Sequence, residues 1–252
     1  MTIKTVNATR LDAMGLTHKE LNTRLRQLVA QGYDKIELHN VYGQRYIGTD
    51  LDKPVVIEIQ GTPGNDLGAF MAGPTIVVRG NAQDGCANTM DSGEIIVYGH
   101  AGDILGLSAR GGKVFVRDDV GYRAGIHMKE YKEKKPVLVI GGTAQDFFGE
   151  YMAGGVLILL GLTLKEGEPH RMNFVGTGMH GGVIYLRGSI QSYQLGKEVG
   201  TTQLDEKDQQ VVKELVGQFA SYFGYDPARI IEGSFIKLFP RFLRPYGRLY
   251  AY

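Results

Sequence analysis

The stretch "NFVGTGMHGGVIYLRG", Asn173 to Gly188, sets Gly176, Gly178 and Gly181 at the G-x-G-x-x-G spacing. In a strand–turn–helix unit this spacing cradles a dinucleotide pyrophosphate. That chemistry needs a strand before the glycines and a helix beginning at the third, so that the helix N-terminus faces the phosphates. Here the order is reversed. Polar "KEGEPHRMNF" precedes the glycines, and "VIYLRG", β-branched and aromatic, follows them as a predicted strand. About 20 residues further on, where an acidic residue would close a strand and bind the ribose, the chain reads "TTQLDEK" with no strand ending at Asp205. No cofactor-binding residue is expected in this motif.

The other reactive side chains are equally dispersed. His18, His39, His100, His127, His170 and His180 show neither H-x-x-x-H nor HExxH spacing, so no catalytic triad and no metal site is expected from them. Asp66, Asp103 and Asp146 precede glycines by two or three residues, where a short carboxylate most simply accepts hydrogen bonds from turn amides. A carboxylate ladder holding Ca²⁺ or flanking a glycan is the alternative, opposed by the outward loops between the aspartates and by the lack of a secretory signal. The single cysteine, Cys86, has no basic neighbour in sequence and reads as a small buried hydrophobe. One cysteine also excludes a Cys-only zinc or iron–sulfur site within the chain. The last stretch, "FIKLFPRFLRPYGRLYAY", interleaves Lys237, Arg241, Arg244 and Arg248 with Phe235, Phe239, Phe242, Tyr246 and Tyr250. Such a mix can bind single-stranded nucleic acid, but it fits better an arm that docks on its own body or on a neighbouring subunit, as in a homo-oligomer. Phe239, Arg241, Phe242, Arg244, Tyr246 and Arg248 are therefore the candidate partner interface.

A net charge of +1 over 252 residues provides no global field for nucleic acid or an anionic membrane. The N-terminus lacks a signal-peptide apolar core and no apolar run is long enough to span a bilayer, so the chain is expected in the cytoplasm.

Glycine is the outlier, 36 of 252 residues and concentrated between Gly43 and Gly200. There the sequence repeats at intervals of roughly 20 residues, with units opening at Lys35, Pro54, Pro74, Glu94, Lys113, Pro136, Val156 and Val183. Each opens with a few strand-forming residues, turns at a glycine and closes on a second apolar run ending in glycine. Two longer gaps hold polar insertions, "EYKEKK" at 130–135 and "KEGEPHR" at 165–171, which belong in surface loops. Units this short leave no room for a helix and stack only as rungs of a parallel β-solenoid. With Glu37, Arg117 and Arg187 facing out, period-two alternation puts Ile36, Leu38, Val114, Val116, Ile184 and Leu186 inside. Met71, Met90, Met128, Met152 and Met179 fall at one place in successive units and should form an internal column. Gly68, Gly73, Gly106, Gly111, Gly149, Gly154, Gly176, Gly178 and Gly181 are assigned as turn glycines, because a corner with positive φ or touching backbones disfavours a Cβ.

The ends differ. In "RLDAMGLTHKELNTRLRQLVAQG", Leu21, Leu25 and Leu28 share a helical face, Thr17 and Glu20 form a predicted capping box, and Gly32 is a stop. This helix is expected to cover the open first rung. In "QLDEKDQQVVKELVGQFASYFG", Val211, Leu215, Phe219 and Phe223 predict a second helix lying on the solenoid flank. The expected organisation is an N-terminal capping segment, 1–34, a β-helix, 35–190, and a C-terminal helix with a basic aromatic arm, 191–252.

The segments "YGQRYIGTDL", "GTPGNDLGAFMAG", "GYRAGIHMKEY", "GEYMAGGVLILLG" and "GTGMHGGVIYLRG" together resemble the C-terminal GXGXG domain of the glutamate synthase large subunit, in order from Leu11 to Ser189. The resemblance implies an all-β fold, a right-handed parallel β-helix of about seven rungs, flanked here by short helices at both ends. It further implies a non-catalytic support: in that enzyme glutamine is hydrolysed at an N-terminal cysteine, and ammonia reaches an FMN site where 2-oxoglutarate becomes glutamate. This chain begins Met1-Thr2, carries one cysteine, and lacks room for an FMN barrel. The resemblance therefore implies a scaffold subunit of a split glutamate synthase, with no catalytic, cofactor or metal residue of its own. FMN and an iron–sulfur cluster are expected on partners, the glutamine amidotransferase and FMN-binding subunits. A more distant resemblance is to the β-helical subunit of formylmethanofuran dehydrogenase, a molybdenum or tungsten enzyme. An autonomous carbohydrate-active β-helix is the third reading.

Overall fold

The computed structural model describes residues 6–242. Nine strands run parallel and pair in chain order: β1 (Ala8–Asp12), β2 (Lys35–Tyr42), β3 (Val56–Thr62), β4 (Ala72–Val78), β5 (Ser92–Val97), β6 (Lys113–Val116), β7 (Val137–Ile140), β8 (Ala153–Leu159) and β9 (Gly181–Arg187). From β2 onward each strand returns to its neighbour through tight corners, so the chain winds as a parallel β-solenoid of about six turns, close to the seven rungs expected. Lys35, Val56, Thr75, Glu94, Lys113, Val137, Val156 and Val183 stack on one another in register. The polar insertions occupy the two longest excursions, and in the first Tyr131 and Lys134 close a small antiparallel bridge.

Alternation divides the residues of each strand. Ile36, Leu38, Val114, Val116, Ile184 and Leu186 all face inward and are essentially fully buried. The Met71, Met90, Met128, Met152 and Met179 column is buried with them in one continuous core. The outward register position changes character along the stack: Arg10, Glu37 and Glu58 are followed by Val77, Ile96, Phe115, Val139 and Ile158. The charged part is laced by ion pairs, Arg10 and Lys35 to Glu37, and Lys35 and Arg79 to Glu58, each near 3 Å. The apolar part requires a cover.

That cover is α2 (Glu206–Phe223), whose Val212, Leu215, Val216 and Phe219 form a second core with Ile96, Phe115, Val139 and Ile158. Val211 and Phe223 lie at the margins of this face. The helix is capped by Asp205, whose side chain accepts the Asp208 amide, and stops at Gly224 with φ +75°, a left-handed position that glycine adopts without strain. At the other end α1 (His18–Ala30) has the Thr17–Glu20 capping box, and its Leu21, Leu25 and Val29 enter the solenoid core beside Ile36 and Leu38. After α2 come α3 (Pro227–Ile231) and β11 (Phe235–Pro240), and β11 lies antiparallel between β9 and β10 (Val199–Thr202). No helix among the described residues is long and apolar enough to cross a membrane.

Candidate functional site: the left-handed corner

One corner of every coil has an unusual backbone. Three alternate residues, such as Phe147, Gly149 and Tyr151, take positive φ, and the pattern recurs from the coil of Tyr46, Gly48 and Asp50 to that of Phe174, Gly176 and Gly178. The alternation turns successive amides to opposite neighbours. The Phe147 amide donates to the next coil, at Asn173, the Gly149 amide to the preceding coil, at Ala124, and the Tyr151 amide again forward, at Thr177. Each corner between the first and the last is thereby hydrogen-bonded on both sides, which a buried or half-buried backbone requires.

The G-x-G-x-x-G sequence is the last of these corners. A strand, β9, starts at Gly181, and a methyl group there would collide with the Ala153 carbonyl. Gly178 is small because the Tyr151 ring lies against it. The other assigned turn glycines fall into two groups. Gly68, Gly106, Gly149 and Gly176 are the middle, inward residues of their corners, with φ of +66° to +71°. Gly73 has φ +142°, while Gly111 and Gly154 sit where a Cβ would meet the previous coil, at Asp91 and Glu130.

The outer columns of the same corner carry side chains that sequence reasoning missed. Running up the stack, the first position holds Tyr46, Asp66, Gly85, Ile104, Arg123, Phe147 and Phe174, and the third holds Asp50, Phe70, Thr89, Ser108, His127, Tyr151 and Gly178. A bulky residue at positive φ costs of order 1 kcal/mol relative to glycine. Stacking offsets part of this, by about 0.5–1.5 kcal/mol per aromatic pair. Phe147 and Phe174 stack at 4.9 Å, the Arg123 guanidinium lies 4.5 Å from the Phe147 centroid, and His127 stacks on Tyr151 at 5.3 Å. Arg123 is also ion-paired to the buried Glu150. The signal in the sequence was register: these residues align with Gly85 and Gly178.

Beyond Phe174 the ladder opens into a pocket of about 830 Å³ lined also by Thr177, Tyr193, Lys197, Glu198 and Arg241. The basic aromatic stretch reaches this point. Phe239 lies over Gly200, the Arg241 amide donates to the Glu198 carbonyl at 2.7 Å, and Phe242 is 73% exposed. Arg244, Tyr246 and Arg248 lie outside the described residues. Lys237 faces α2, where its ammonium binds both oxygens of the buried Asp208.

The remaining titratable groups stitch coils together. Asp103 and Asp146 accept the amides of Tyr122 and Asn173 in the following coil, and Asp66 accepts the Asn88 side-chain amide. His100, His127 and His180 sit in separate surroundings: His100 accepts the Asp119 amide, and His180 Nδ1 is 3.3 Å from the Gly178 carbonyl. No group of three His, Cys, Asp or Glu side chains placed to hold a metal exists among the described residues. Cys86 is buried in the core, which pushes its thiol up to about 12 and leaves it without nucleophilic character at neutral pH.

Comparison with known proteins agrees with this architecture. A family model described as the GXGXG motif matches residues 36–246. The uncharacterized protein MJ1350 of Methanocaldococcus jannaschii is 44% identical over 249 residues, covering 96% of this chain and 95% of that one. Ferredoxin-dependent glutamate synthase 2 of a Synechocystis species is 25% identical over 77% of this chain, which spans only 13% of that enzyme's length. The ferredoxin-dependent glutamate synthase of Pyropia yezoensis is 25% identical over 90% of the chain, spanning 14% of its length. Among solved structures, the formyltransferase/hydrolase complex FhcABCD of Methylorubrum extorquens, in complex with methylofuran, contains a chain of the same fold, with TM-score 0.59, 18% identity and coverage of 90% and 92%. By its repeated corner, its register and these matches, the chain belongs to the GXGXG family.

Proposed function

We propose that the protein is a non-catalytic scaffold subunit of a split glutamate synthase, acting in the cytoplasm in the conversion of glutamine and 2-oxoglutarate to glutamate. The observation that carries this reading is the proportion of the match: 77–90% of this chain corresponds to only 13–14% of two glutamate synthases. The catalytic parts would then reside on separate chains, the glutamine amidotransferase and the FMN-binding subunit with its iron–sulfur cluster. In this reading the solenoid, 35–190, is the rigid body, the described part of the 1–34 segment covers its first coil, and the described part of the 191–252 segment covers its outward face with α2. The test is co-expression with the amidotransferase and FMN-binding subunits of the same organism. The three chains should elute together with flavin absorbance and form glutamate; an active enzyme from which this chain elutes separately would overturn the proposal.

A second reading, a β-helical member of a complex of the FhcABCD kind, is supported by the likeness in fold. Co-purification with formyltransferase or hydrolase chains, in place of flavin subunits, would favour it.

A further inference from the structure

Five aromatic side chains, Tyr46, Phe70, Phe147, Tyr151 and Phe174, stand at left-handed backbone positions. Glycine fills the same columns at Gly85 and Gly178, so the fold accepts the unstrained residue there. The rings are not buried in return: Phe70 is 54% exposed, Tyr151 48% and Phe174 53%. Strain and exposure combined mark a surface kept for binding. The rings are densest at one end, where Arg123, Phe147 and Phe174 form a line that runs into the pocket beside Tyr193, Lys197 and Arg241.

We propose that this line and its pocket are where a partner subunit docks, and that the partner presents an apolar patch bordered by carboxylates. The inference rests on the scaffold reading above and names the surface it would use. Charge complementarity decides the partner's chemistry. Lys197 and Arg241 are exposed at the pocket rim and have no ion-pair partner among the described residues, while the nearby Glu198 carboxylate is engaged by the Gly178 amide at 3.2 Å. Two unpaired cations beside exposed rings match an acidic-rimmed apolar surface, with the aromatic and arginine side chains that anchor interfaces. Single-stranded nucleic acid fits less well. The rings already stack on each other at 4.9 and 5.3 Å, which leaves no gap between them for a base.

The test uses the full chain and the purified FMN-binding and amidotransferase subunits of the same organism. Because glycine suits both backbones, a variant carrying Phe147→Gly and Phe174→Gly should remain folded, with a melting temperature near that of the parent. Its affinity for the partner should fall by about 30-fold or more, and Lys197→Glu with Arg241→Glu should weaken binding by about 10-fold and flatten its salt dependence. Tyr42→Ser, at an exposed residue elsewhere, should change nothing. If the complex forms and neither double variant weakens it, the docking surface is refuted while the scaffold reading stands. If the parent chain binds neither subunit, the scaffold reading fails and this inference with it. Binding of an oligo(dT) strand, or a dimer of this chain, that is lost in the glycine variant with the enzyme complex intact would assign the surface to that occupant and overturn the proposal.

Discussion

The Lys237 ammonium lies 2.8 and 2.9 Å from the two carboxylate oxygens of Asp208 and ties β11 to the first turn of the helix that covers the solenoid. Tyr185 adds a hydroxyl hydrogen bond at 2.7 Å. Burial alone would raise the Asp208 carboxyl, but Lys237, Tyr185 and the Asp205 amide outweigh it and hold the group below its ordinary range. Removing one partner leaves a charge stranded. Asp208→Ala should cost about 2–4 kcal/mol in urea unfolding, below the upper range for buried pairs because Lys237 keeps some solvent contact. Asp208→Ala combined with Lys237→Met should cost clearly less than the two single losses added together. Additive losses would show that the pair does not act as a unit.

His170 gives a pH dependence. Its Nε2 is 2.9 Å from the Arg187 carbonyl, to which the neutral ring donates, and its buried Nδ1 has no partner among the described residues. Burial lowers its pKa, against the smaller opposing effect of that carbonyl. The unfolded chain therefore takes up a proton near the ordinary value of 6.5, before the folded chain does. The stability from this group is complete above that pH and declines as the pH falls below it, by at most about 1.4 kcal/mol per pH unit. Urea unfolding between pH 7.5 and 5 should show the decline, and His170→Gln should flatten the profile; parallel curves would exclude His170 as the cause.

Two glycine substitutions should act in opposite directions. Gly181→Ala drives a methyl group into the Ala153 carbonyl, and backbone cannot yield as a side-chain tip can, so a loss of about 2 kcal/mol or more is expected. Gly217 lies inside α2 with open space around a Cβ, and Gly217→Ala should stabilise by about 0.5–1 kcal/mol. Thermal melts of the two variants suffice, and equal effects would contradict the packing described.

Detachment of α2 is separable from loss of the solenoid. Phe219 is fully buried against the outward face, so Phe219→Ala should cost about 3–5 kcal/mol. Hydrogen exchange should accelerate in α2 while the β3–β5 amides keep their protection. Uniform loss of protection would mean that helix and coils unfold together.

The coils were legible because their signal is local and repeated. Lys35, Glu94, Lys113, Val156 and Val183 open repeats in the sequence and stack in the fold, and the Thr17–Glu20 box was readable from four residues. Pairings made over long distances were not. Nothing in "FIKLFP" announces that it threads between β9 and β10, since the partners that fix it lie far back in the chain. Most of the candidate site was hidden for a different reason. Left-handed positions announce themselves as glycine, and at Phe147, Tyr151 and Phe174 the chain places a ring where that sign would be.

Because Thr75, Glu94 and Lys113 occupy equivalent places in consecutive layers, excising the chain from Glu94 to Gly112 would rejoin like to like and leave the cross-section of the rod unchanged. Its length can therefore alter only by whole layers, in increments of about 4.8 Å. A molecule built this way is a ruler with fixed graduations, and the distance between bodies fastened along it is set by the number of layers between them.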